Sequence, residues 1–193
     1  MSTWRFSMIA NGLFNSKLIY GISVWGGVWN LPGVFDLEKR NSPTLTKEDN
    51  RQLQVLQNSV CRLITGLPLE TRVTTLLDQS KQLSVQQLAA YHCILQVYKT
   101  YHTHETKYFY DCLFPVKVIN YADQRTSRSM TNNYIRVEAN LSLTRSGFMY
   151  KASRLWSSLP SDIQNKVTVS SFKTSVKKWE REIFLQFQAK QRF

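Results

Sequence analysis

Five apolar side chains near the C-terminus, Phe172, Val176, Trp179, Ile183 and Phe187, follow one another at steps of 3 and 4. A strand would scatter such a set over both faces, because its side chains alternate with a period of 2. A helix of 3.6 residues per turn gathers them into one stripe. Lys173, Lys177, Lys178 and Arg181 fall largely off the stripe, so one helix offers both a core face and a basic face. Ser170 or Ser171 is its expected N-cap. Just upstream, Tyr150, Arg154, Leu155 and Trp156 lie on another helix. It closes at Leu159, because Pro160 lacks a backbone N–H and disfavours helical geometry at the residue before it. Two helices meeting at a proline stop organise this end of the chain.

The same reasoning predicts further helices upstream. Phe6, Ile9, Leu13, Leu18, Ile22 and Trp25 support a helix over 3–25, weakened at Gly12 and Gly21 and ended by Gly26 and Gly27. Residues 30–45, with Pro32, Gly33 and Pro43, read as a loop. Thr46 and Asp49 stand at capping-box spacing, and Gly66 with Pro68 marks a stop. Between them Leu53, Leu56, Val60, Leu63 and Leu67 form an expected buried stripe. Thr71 is the expected cap of a short helix buried through Val73, Leu76 and Leu77. Ser84 and Gln87 form a second capping box, opening a helix with Leu88, Tyr91, His92, Leu95 and Tyr98 inward. A further short helix falls near 105–113, and a linker over 115–133. Residues 134–138 alternate and are rich in strand formers, with 141–144 as partner strand or turn. The expected fold is therefore mainly α, with a small strand element near 134–144.

Charge narrows the class of partner. Lys plus Arg number 25 against 13 Asp plus Glu, a net +12. Residues 1–120 hold 12 basic and 8 acidic side chains, net +4, whereas 121–193 hold 13 and 5, net +8. A polyanion such as nucleic acid is the natural partner of that last third. A membrane surface is disfavoured, because the basic residues are spread over several elements rather than one amphipathic anchor. The most apolar run, Leu18 to Leu31, is too short and too interrupted by Gly and Asn to span a bilayer. Three widely spaced cysteines, Cys61, Cys93 and Cys112, argue against a disulfide scaffold and for a reducing compartment. No secretory signal is evident, so an intracellular location, nucleus or cytoplasm, is expected.

Several stretches carry a family resemblance. Leu155-Trp156-x-Ser158-Leu159-Pro160-x-x-Ile163, followed by Ser171-Phe172-Lys173 and a basic amphipathic helix, resembles the C-terminal end of reverse transcriptases from non-LTR (LINE-type) retrotransposons. The run from Ala10 to Gly27 is similar to the segment after the palm of these polymerases, where the thumb begins. Leu56-Gln57-x-Ser59-Val60-Cys61-Arg62-Leu63-Ile64-Thr65-Gly66 and Leu83-Ser84-Val85-Gln86-Gln87-Leu88-Ala89-Ala90-Tyr91-His92 are two further points of likeness. Thr126-Ser127-Arg128 departs from the family's Thr-Arg element by one residue. The resemblance implies a helical thumb-like region over 1–114 and a basic C-terminal module over 115–193. It implies contact with RNA or an RNA–DNA hybrid beside a palm that lies elsewhere.

The chemistry of a palm has no place here. Polymerases hold two metal ions about 4 Å apart between paired aspartates, and no Asp-Asp pair occurs in this chain. No catalytic residue, cofactor or metal is therefore expected, and the chain alone is not expected to be an enzyme. His102, His104 and Cys112 fit no common zinc spacing, and a fourth ligand would have to be Cys93 or His92. The expected nucleic-acid-binding residues are Arg125, Arg128, Arg145, Lys151, Arg154, Lys173, Lys177, Lys178 and Arg181. The competing reading is a domesticated helical protein–protein interaction module, with a missing palm or another protein as partner. An exposed apolar patch around Trp4, Phe6, Trp25 and Trp29 would favour it.

Overall fold

The computed structural model describes residues 3–22, 47–103, 107 and 148–190. Within these, the side chains of 3, 4, 11, 47, 103 and 184–190 fall outside the description. The elements are α1 (Thr3–Ile9), a π-helical segment (Ala10–Asn15), α2 (Ser16–Ile19), α3 (Lys47–Thr65), α4 (Val73–Gln79), α5 (Val85–Thr103), α6 (Phe148–Ser158), α7 (Ser161–Gln164) and α8 (Val169–Lys190). Among the described residues the fold is mainly helical and holds no strand. The expected strand element near 134–144, the linker, the 105–113 helix, the 30–45 loop and the 114/115 boundary lie outside the described residues, apart from helical Lys107. The chain divides into two compact units, Met1–His92 with Val176–Phe193, and Cys93–Ser175.

In the first unit the expected 3–25 helix is broken. The π-helical segment contains Gly12, and Gly21 at φ 65° lies just past the end of α2. Glycine is the weakest helix former after proline and takes a positive φ readily, so both weak points are used. Leu18 and Ile22 are buried as expected, whereas Phe6, Ile9 and Leu13 are exposed.

Helix α3 ends where the sequence places its stop. Gly66 takes φ 71° and its N–H donates to the Arg62 carbonyl at 2.7 Å. Its inward face, however, differs from the expected stripe. Gln57, Asn58, Cys61 and Ile64 are buried, Leu53, Val60 and Leu67 half-buried, and Leu56 and Leu63 exposed at 55% and 70%. Hydrogen bonds account for the rotation. Gln57 Nε2 donates to the Leu83 carbonyl at 2.7 Å, and Gln54 Oε1 accepts from Val85 N–H at 3.1 Å. These amides satisfy backbone groups around the start of α5 that burial would otherwise leave unpaired. Ser84 and Gln87 form the expected capping box. Ser84 N–H donates to Gln87 Oε1 at 2.9 Å and Gln87 N–H to Ser84 Oγ at 3.3 Å.

Helix α4 starts at Val73 with Arg72 at its N-cap, so Thr71 does not cap it. Thr71 N–H instead closes a turn onto the Pro68 carbonyl. Leu76 and Leu77 pack with Cys61, with Leu67 against them, whereas Val73 points outward. The helix ends in a Schellman motif. Gln82 N–H donates to the Leu77 carbonyl at 2.9 Å, Lys81 N–H to the Asp78 carbonyl at 3.0 Å, and Lys81 takes φ 56°.

The second unit is built on aromatics. Tyr98 on α5 stacks on Phe172 with centroids 3.8 Å apart, and its hydroxyl donates toward the Lys166 and Val167 carbonyls at 2.8 and 3.2 Å. Trp156 lies 6.3 Å from Phe172 and 6.1 Å from Tyr101. Pro160 closes α6 and opens the short helix α7, which periodicity does not predict. Gln164 at the end of α7 turns back, its amide donating to the Trp156 and Leu159 carbonyls at 2.7 and 3.0 Å. The Trp156 carbonyl also accepts from Leu159 N–H at 3.2 Å, so the end of α6 is closed both by its own turn and by Gln164. The cap of α8 is Thr168, not Ser170 or Ser171: its hydroxyl accepts from Ser171 N–H at 3.3 Å.

Candidate nucleic-acid interface

The basic side chains of α8 fall beside its buried stripe. Phe172, Val176 and Trp179 are buried and Ile183 half-buried, while Phe187 lies outside the described side chains. Lys173, Lys177 and Arg181 are four apart along the helix, so they form one row on its surface. Lys173 and Lys177 are exposed and Arg181 is half-buried. Lys178 is exposed on a neighbouring row, with Glu182 one turn on at 3.9 Å. Lys177 Nζ also stands 5.4 Å from the centre of the Tyr91 ring, a cation–π distance that leaves the ammonium at the surface. The row therefore carries charge along one helix.

On α6 the outcome is different. Lys151 is 1% exposed, so it is removed from the expected surface set. A buried ammonium is desolvated, and burial pushes its pKa down; the nearby Cys93 opposes that weakly. The Cys93 thiol, buried in the same unit, is pushed up to about 12 by desolvation and stays neutral. Lys151 is thus a packed residue of the second unit. Arg154 is half-buried, its guanidinium 4.8 Å from the centre of the Tyr150 ring. Arg125, Arg128 and Arg145 lie outside the described residues.

The signal that separates Lys151 from the other lysines is local. Its neighbours Tyr150, Ala152, Ser153, Leu155 and Trp156 are all buried, so α6 is enclosed over most of its circumference. Small Ala and Ser between large apolar residues is a composition that permits such enclosure. Glu180 is the other buried charged residue that the apolar stripe of α8 does not announce.

Among the described residues no group of three His, Cys, Asp or Glu side chains could hold a metal ion, and no helix is long and apolar enough to cross a membrane. His104 and Cys112 lie outside the described residues. Comparison of the chain with protein-family models, curated proteins and solved structures finds no match.

Proposed function

We propose that this chain contacts nucleic acid through the basic row of α8, as a C-terminal piece of a LINE-type RNA-directed DNA polymerase that lacks the catalytic palm. The observation that carries the reading is the row itself. Lys173, Lys177 and Arg181 repeat every four residues on one helix, in the third of the chain with net +8. Cations four apart lie about 6 Å from one another, a spacing able to follow a phosphate backbone. The natural ligands on this reading are RNA and RNA–DNA hybrid, inside the cell, in nucleus or cytoplasm. The chain holds them beside a palm supplied elsewhere and does no chemistry of its own.

Fluorescence anisotropy tests the reading with unrelated single-stranded RNA, RNA–DNA hybrid and duplex DNA. All three should bind at low salt and weaken as salt rises, because phosphate contacts release counterions. Absence of binding to every one of them at low salt contradicts the proposal.

A second reading, an interaction module for another protein, has its own observation. Met8, Ile9 and Leu13 on α1 and the π-helical segment, and Val55, Leu56 and Leu63 on the neighbouring α3, all expose apolar side chains. Phe6 is also exposed, whereas Trp4, Trp25 and Trp29 lie outside the described side chains. Exposed apolar surface gathered on adjoining elements marks an association site more often than a scattered one does. Replacing Leu56 and Leu63 by Ser should leave the fold intact. Loss of a larger complex on size exclusion of cell extract, with nucleic-acid binding unchanged, would favour this second reading.

A further inference from the structure

The carboxyl of Glu180 is buried in the first unit. The residue is 2% exposed, and neither carboxyl oxygen has a hydrogen-bond partner among the described residues. Its backbone carbonyl, by contrast, is held by the Gln87 side-chain amide at 3.4 Å, which ties α8 to the start of α5 within that unit. An ionised carboxylate buried without donors costs far more than a neutral acid at the same place. Among the described residues, the ionisable groups acting on it are Lys177, one turn back on α8, and Tyr91 on α5. Lys177 favours the charged form but sits at the surface with its ammonium over the Tyr91 ring. Desolvation dominates and holds the Glu180 carboxyl well above the ordinary carboxylate range. The Tyr91 hydroxyl is likewise pushed up, first by burial and then by Glu180, so it stays neutral and adds no second negative charge beside the carboxyl.

We propose that Glu180 is a proton-operated latch: neutral, it lets the segment 176–183 of α8 stay docked on α5 in the first unit, and its ionisation expels that segment. The latch stands apart from the nucleic-acid reading, since Glu180 is buried and does not belong to the basic row. The proton leaves to solvent and no other bond changes. The sign follows from linkage. Undocked, the carboxyl titrates at about 4.3; docked, it titrates higher. Below the lower value both states are protonated and docking is strongest. Between the two values the docked state retains a proton that the undocked state has lost. Docking therefore weakens as pH rises, by up to about tenfold per pH unit. Above the higher value the weakening stops.

Amide hydrogen exchange of a peptide covering 176–183, read by mass spectrometry from pH 5 to 8 and corrected for the intrinsic effect of pH on exchange, measures the opening constant. The wild-type chain should open more as pH rises from 5 until the docked carboxyl itself ionises, with a slope of up to about tenfold per unit, and Glu180→Gln should show no such slope. Equal slopes in the two chains, or no slope in the wild type, would overturn the proposal. If Glu180→Gln does not fold, infrared spectroscopy of the wild type at pH 5, above the undocked value of about 4.3, decides. A neutral carboxylic-acid carbonyl band must be present and must fade as the segment opens; its absence rejects the latch.

Discussion

Lys81 occupies a backbone position that lysine does not favour. Its φ of 56° places it in the left-handed region, at the residue that follows the C-cap of α4. The Schellman bonds from Lys81 and Gln82 hold it there, because they satisfy the last carbonyls of the helix. A Cβ in this region costs about 1–2 kcal/mol, which glycine escapes. Lys81→Gly should accordingly raise stability by about 1 kcal/mol, read from the urea midpoint at constant slope; no gain would mean that the turn is not held as described. Such a position is invisible in the sequence, since Lys81 carries none of the Gly or Asn signature of a helix stop. The Ser84–Gln87 box was legible for the opposite reason: both partners are three residues apart and their chemistry is reciprocal. The cap of α8 was misplaced by two or three residues because Thr168, Ser170 and Ser171 all have a hydroxyl suited to the role. Of the expected site residues, Lys173, Lys177 and Lys178 are where their spacing puts them. The burial of Lys151 depends on how deeply α6 sinks, which residue type and spacing do not specify.

Among the elements, α3 and α8 contrast in how well periodicity predicts burial. On α8 the predicted stripe residues Phe172, Val176 and Trp179 are buried and Ile183 is half-buried, and Trp156 on α6 is enclosed. Trp156→Ala and Trp179→Ala should each cost about 3–5 kcal/mol in chemical denaturation; losses under about 1 kcal/mol would place both rings at the surface. On α3 the helix and its stop were legible but its orientation was not. The leucines predict one inward face, and Gln54 and Gln57 turn another inward by bonding to the backbone around the start of α5. A polar side chain that serves as another helix's partner leaves no trace in a hydrophobic pattern. Gln57→Ala removes the donor to the buried Leu83 carbonyl and should destabilise by about 1–3 kcal/mol. Leu63→Ala, at an exposed position, should change stability by no more than about 0.5 kcal/mol. The reverse ranking in a denaturation series would restore the leucine face to the interior.

At the scale of the whole molecule, a helical fold among the described residues carries a strongly basic charge balance. With no paired aspartates in the chain, purified protein given primer, template, nucleotides and magnesium should extend nothing beyond a no-protein control. Extension that is lost on changing an Asp or Glu of this chain would contradict that. The proposed contact of the α8 lysines with phosphates is read from salt dependence. Log affinity should fall linearly with log salt, by about 0.9 per phosphate neutralised on duplex and about 0.7 on single strands. Replacing Lys173, Lys177 and Lys178 by Gln nearly preserves helix propensity, and all three are exposed, so the fold should survive. Arg72→Gln, an exposed change near α4, is the control. The decisive measurement is the anisotropy titration of the triple variant over a range of salt, with helicity checked by circular dichroism. The slope should be lower by up to about 3 on duplex, with unrelated sequences weakened alike. An unchanged slope in a folded triple variant would contradict the proposed contact and return those lysines to ordinary solvated surface.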